Sequence, residues 1–168
     1  MRVLSIVILA AAVVTSTVVL LAQSPTYHLG RAATAEEIRS VDTYSGPAGK
    51  ELTPGKGTAK EGAELFAQKC AHCHGATGKG GQYPELVTKE LHPFATTIWS
   101  MINSSMPRLI PDIGIRAEKL TTDQVYALTA FILFKNGIIK ETDVMDAKTL
   151  PRVKMPSRDP RLDRLAPQ

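Results

Sequence analysis

The chain has 168 residues, 43% of them hydrophobic, with 20 Lys and Arg against 16 Asp and Glu, a formal charge of +4 and a pI near 9.1. That length suits one domain with extensions rather than two. The positive excess is too small and too scattered for a nucleic-acid surface. It fits an acidic protein partner or a nearby anionic substrate, and equally a lysine-rich solvated face.

Met1-Arg2 precedes an uncharged apolar run from Val3 to Ala22, interrupted only by Ser5, Thr15, Ser16 and Thr17. Residues 1–22 read as a secretory signal peptide or a single-span anchor. Ala22-Gln23-Ser24-Pro25 offers a cleavage region, which tips the balance towards the signal peptide. In both readings the rest of the chain is exported to the periplasm, and it meets a membrane only if Val3–Ala22 stays attached.

Residues 23–57 form a polar arm rich in Gly, Pro, Ser and Thr. Within it Thr34-Ala35-Glu36-Glu37 has the form of a capping box and predicts a short helix over Ala35–Ser40. Ser45-Gly46-Pro47 and Thr53-Pro54-Gly55-Lys56-Gly57 are turn signals. The arm either wraps the surface or a partner, or is a loose linker.

A compact domain is expected over residues 58–137. Thr58-Ala59-Lys60-Glu61 is a second capping box, and Ala63, Phe66, Ala67 and Cys70 follow at helical spacing. Gly62 on that helix permits close approach of another helix. Cys70-Ala71-His72-Cys73-His74 then has the spacing of a covalent c-type haem site. Each thiol can form a thioether to one porphyrin vinyl group, and the next residue, His74, falls under the iron as proximal ligand.

Three competitors are weaker. A zinc site would have to recruit His72, His74, His92 or His28 without finger spacing. A thioredoxin-like pair wants a βαβ context that the sequence lacks. A disulfide between residues three apart closes too small a loop to stabilise much.

Gly75 to Gly81 is glycine-rich but lacks a G-K-[ST] ending and follows no strand, so it reads as a loop around the haem edge. Pro84, ten residues after His74, offers a backbone carbonyl to the imidazole's free N–H, or is an ordinary turn proline. A third helix follows Pro93, with Ala95, Ile98, Trp99 and Ile102 on one face. Trp99 is expected to pack, including against a porphyrin, with its indole N–H seeking an acceptor. The loop from Asn103 to Lys119 carries Met106-Pro107 and turn signals at Pro111 and Gly114.

Thr121-Thr122-Asp123-Gln124 opens the last helix, which buries Val125, Leu128, Phe131 and Ile132 and stops at Asn136-Gly137. The tail, residues 138–168, is charged, carries Pro151, Pro156, Pro160 and Pro167, and is expected to be extended, whether packed or mobile. For the iron's second ligand, Met106 sits in a loop able to reach across the haem face. Met155, also followed by proline, is the runner-up; Met101 reads as a core residue, and Met145 lies in the tail.

The order helix, Cys-x-x-Cys-His, Pro-x-Leu, helix, Met-Pro, terminal helix resembles class I cytochromes c from Thr58 to Gly137. The resemblance implies a small all-α class I cytochrome c fold, here with an extended N-terminal arm and a C-terminal tail. It implies terminal helices crossing near Gly62 and Phe66, Pro84 holding His74, and Met106 as the distal ligand.

Leu29-Gly30-Arg31, Ala95-Thr96-Thr97-Ile98-Trp99, Val125-Tyr126-Ala127-Leu128-Thr129-Ala130 and Val153-Lys154-Met155-Pro156-Ser157-Arg158-Asp159 are similar to the cytochrome subunits of periplasmic sulfite dehydrogenases and of the Sox sulfur dehydrogenase. This implies one covalent haem c, a molybdenum-cofactor dehydrogenase subunit as donor, and a downstream cytochrome or oxidase as acceptor. No catalysis by the chain itself is expected. The chain departs from that pattern in having a single haem motif, in Ser100 where the family often has an acid, and in a longer Met106–Leu120 segment. The alternatives are a free-standing periplasmic or anchored cytochrome with another donor, and a haem-based sensor.

Overall fold

Three capping boxes start three of the helices. The computed structural model describes residues 30–41, 44–107 and 119–165. Helix α1 spans Ala35–Val41, α2 Ala59–Lys69, α3 the single turn Ala71–His74, α4 Ala95–Ser105 and α5 Thr122–Lys135. Contacts divide the chain into a unit ending at Ile38 and a unit from Arg39 onward. The leader Val3–Ala22, His28, the turns at Pro111 and Gly114, and Pro167 lie outside the described residues.

At α1 the Thr34 hydroxyl accepts from the Glu37 N–H at 3.2 Å, and the Glu37 carboxylate accepts from the Thr34 N–H at 2.8 Å and pairs with Arg31. At α2 the Thr58 hydroxyl accepts from the Glu61 N–H, and the Glu61 carboxylate accepts from the Thr58 N–H at 2.8 Å. Thr121 and Gln124 repeat the exchange at α5, at 3.3 and 3.0 Å. Each box satisfies amide groups that a helix start leaves without partners. At the far end of α5, Gly137 takes a φ of 69°, and the Ile138 N–H donates to the Leu133 carbonyl at 3.0 Å, closing the helix.

Helices α2 and α5 cross with the Gly62 backbone against Ala127, and the Phe66 and Phe131 rings stack beside it with centroids 4.8 Å apart. Helix α5 is buried nearly all round, from Val125 to Ala130 and again at Ile132 and Leu133, because α2, α4 and a small sheet surround it. Phe131, expected among its most buried residues, is only partly buried against the core, and Ala67 on α2 faces solvent. Helix α4 buries Ala95, Ile98, Trp99 and Ile102 as its periodicity predicts.

The fold is helical as expected, with one addition. Strand β1, Lys56–Thr58, pairs antiparallel with β2, Val144–Asp146, so that Lys56 faces Asp146 and Thr58 faces Val144. Gly57 lies over the Ala127 backbone, where a side chain would collide, which explains a glycine in a strand. Arm and tail residues thus enter the packing. The Ser45 N–H donates to the Ser100 hydroxyl at 2.7 Å, which donates on to the Thr96 carbonyl at 2.9 Å. Ser100 is fully buried, so a hydroxyl that both accepts and donates suits a place where a carboxylate would be desolvated. In the tail, Met145, Leu150 and Met155 join the hydrophobic core.

Tyr126 is fully buried on α5, packs against Trp99 at a ring distance of 5.6 Å, and donates to the Thr53 carbonyl at 3.0 Å. Burial first, and the Asp146 carboxylate second, push its phenol up to about 12. The folded protein therefore holds this proton where an unfolded chain, ionising near 10, releases it. Stability is expected to be level below pH 10 and to fall between pH 10 and 12. In Tyr126→Phe that fall should be reduced, which denaturant melts at pH 9 and pH 11.5 would measure.

Candidate cofactor site

The single turn α3 sets the geometry. Cys70 caps the turn, its carbonyl accepting from the Cys73 N–H at 3.1 Å and the His74 N–H at 3.0 Å, and Cys70, Cys73 and His74 all line one cavity. The following loop folds back tightly over the motif. Gly75 has a φ of 82°, and a Cβ there would lie 1.8 Å from the Lys79 carbonyl oxygen; a Cβ on Gly81 would lie 2.1 Å from the Cys73 oxygen. Only glycine fits at either place.

The cavity holds about 570 Å³, within the range of about 300–1,000 Å³ typical of ligand sites. Cys70, Cys73, His74, Pro84, Met101 and Met106 all line it, amid an apolar wall that includes Phe66, Leu86, Ile98, Leu128 and Ile132. Most of the predicted site residues are therefore brought together. Trp99 does not line the cavity: it is buried in the core against Tyr126, and its indole N–H has no hydrogen-bond partner among the described residues. Met155 is also in the core, 4% exposed, and does not line the cavity. Met101 corrects the expectation of a core residue. It is 38% exposed and lines the cavity, one turn along α4 from Ile98, which lines it too.

His74 is oriented by its backbone neighbour. Its Nδ1 lies 2.9 Å from the Pro84 carbonyl oxygen. A carbonyl can only accept, so Nδ1 carries the proton and donates. In the neutral ring Nε2 then keeps a lone pair free for a metal.

The other chemistries fare poorly. Burial, with the neighbouring Cys73 adding to it, pushes the Cys70 thiol up to about 11, the opposite of the lowered value that marks a thiol poised for disulfide exchange. Among the described residues no three His, Cys, Asp or Glu side chains gather as a metal site, and His72 faces solvent. Among the described residues no βαβ unit surrounds the cysteines. A thiol pair, an imidazole with one nitrogen free and a thioether across an apolar cavity fit a covalently held haem.

Sequence reasoning read Asn136 only as a helix stop. Its side chain joins α5 to the loop after Pro84, which no local pattern announces. Among the described residues no helix is long and apolar enough to cross a membrane.

Comparison with known proteins gives two findings. Residues 57–132 match the family model described as "Cytochrome C oxidase, cbb3-type, subunit III". A chain of the crystal structure of the sulfane dehydrogenase SoxCD from Paracoccus pantotrophus is similar with a TM-score of 0.63 and 31% identity, over 78% of this chain and 69% of that one. No curated protein matches at a significant level.

Proposed function

Because the chain belongs to the class I cytochrome c family, we propose that it is a monohaem electron-transfer cytochrome serving a molybdenum-dependent sulfite or sulfur dehydrogenase. The observation that carries the haem assignment is the convergence of Cys70, Cys73, His74 and Met106 on one apolar cavity. Cys70 and Cys73 would hold the porphyrin by thioethers. His74, steadied by the Pro84 carbonyl, would ligate the iron from one side and Met106 from the other. A haem held in this way supplies reversible one-electron exchange. The surrounding apolar side chains exclude water from it.

The likeness to a chain of a sulfane dehydrogenase supports the dehydrogenase as donor, with a second cytochrome or an oxidase as acceptor. The apolar run Val3–Ala22 supports export to the periplasm. The family-model match favours a second reading, a cytochrome domain with a different donor, because it covers the haem-binding region alone.

The test of the donor is co-expression with a molybdenum subunit encoded nearby. Sulfite or a sulfane-sulfur compound should reduce the haem only when that subunit is present; reduction by another donor alone supports the second reading.

The distal ligand is tested by a methionine series. The weak long-wavelength band of the ferric protein reports sulfur bound to iron, and it should disappear in Met106→Ala. It should persist in Met155→Ala and in Met101→Ala, although Met101 lines the same cavity. Loss in Met101→Ala with retention in Met106→Ala would reassign the ligand.

A further inference from the structure

The loop that presents the Pro84 carbonyl is held from two sides. On the motif side, the Tyr83 N–H donates to the Cys73 carbonyl at 3.2 Å and the Leu86 N–H to the Gly78 carbonyl at 2.9 Å. On the other side stands Asn136, the residue that caps the C-terminus of α5. Its Nδ2 donates to the Leu86 carbonyl at 2.9 Å and to the Ile132 carbonyl at 2.8 Å, while its Oδ1 accepts from the Thr88 N–H at 2.9 Å. Both amide protons and the amide oxygen are in use. An amide of this length is the group that donates to two carbonyls and accepts from an N–H at once; a carboxylate or an aliphatic side chain cannot.

We propose that Asn136 is a positioning residue for His74, acting through the Leu86–Thr88 segment and the Pro84 carbonyl. The inference rests on the reading of His74 as the proximal iron ligand. The hydrogen bond from Nδ1 to Pro84 raises the basicity of the ring and so favours the more positive, oxidised iron. Loosening the loop weakens that bond and moves the equilibrium towards the reduced state.

The experiment is a redox titration of purified holoprotein carrying Asn136→Ala, with Asn136→Gln as the longer amide and Thr149→Ala as a destabilised control in the remote tail. Asn136→Ala should shift the reduction equilibrium three- to tenfold towards the reduced form, up to about 59 mV for one electron. Asn136→Gln should recover part of the shift, and Thr149→Ala should show none. In the reduced protein the His74 Nδ1 proton should exchange with solvent faster in Asn136→Ala than in wild type. An unchanged potential and unchanged exchange, with His74 and sulfur signatures intact, would overturn the role of Asn136 alone. Absence of those signatures from the wild-type protein would instead overturn the ligand reading on which it rests. If Asn136→Ala accumulates no holoprotein, the same two measurements on Asn136→Gln decide.

Discussion

Replacing both cysteines, Cys70→Ser with Cys73→Ser, should abolish covalent haem. On a denaturing gel the haem stain of the wild-type band should fall at least tenfold, to background. The reason lies in the turn that carries them. Both thiols line the same cavity, Cys70 from the cap of α3 and Cys73 from within it, so each can meet one edge of a single porphyrin.

A serine hydroxyl in the same place forms no thioether, and only non-covalent contacts remain to retain the ring. Single variants should keep one thioether and show an intermediate, shifted haem spectrum. Retention of gel-stable haem in the double variant would refute covalent attachment at these residues. Stoichiometric zinc in the purified wild type would refute it from the other direction. The described residues argue against that second outcome, since no three His, Cys, Asp or Glu side chains gather among them to hold zinc.

The parts of this molecule that could be read in advance are those whose cause is local. A capping box is complete within four residues, so Thr58 with Glu61 and Thr121 with Gln124 announced their helices. The Cys-x-x-Cys-His spacing is likewise set by one turn of chain and the width of a ring.

Periodicity was less exact, because a helical stripe says which residues share a face but not what that face meets. Met101 and Ile102 both line the cavity from α4, yet Ile102 is buried and Met101 is 38% exposed. Trp99, on the same predicted face as Ile98, packs on Tyr126 instead of lining the cavity.

What stayed hidden depends on partners distant in sequence. The register of Lys56 with Asp146 spans most of the domain, and Gly55-Lys56-Gly57 looks like a turn by composition. Asn136 reaches Leu86 and Thr88 across some fifty residues, through hydrogen bonds that leave no trace in its own neighbourhood. Met145 and Met155 sit in a tail whose charge and prolines conceal that every few residues one side chain enters the core.

The largest effect on stability is expected at Gly62. A Cβ built there would lie 2.0 Å from the Ala127 carbonyl oxygen and 2.8 Å from the Phe131 Cβ. The obstacle is backbone of α5, which cannot move aside as a flexible side chain can. Gly62→Ala gains about 1 kcal/mol of helix propensity. Against this, overpacking costs about 1–3 kcal/mol, and more where backbone must shift.

For Gly62→Val the branched side chain enlarges the clash and most of the propensity gain is lost. A net loss of about 3 kcal/mol is expected, which in a chain of this size lowers Tm by about 6–12 °C. Because α2 also delivers Cys70 and the Phe66 wall, separating it from α5 should open the cavity as well. Holoprotein yield and the sulfur-to-iron band should fall together with Tm. Glu64→Ala, on the exposed side of the same helix, is the control and should change stability by under about 0.5 kcal/mol. Equal melting of Gly62→Val and wild type would mean that the α2–α5 crossing is not closed at this residue.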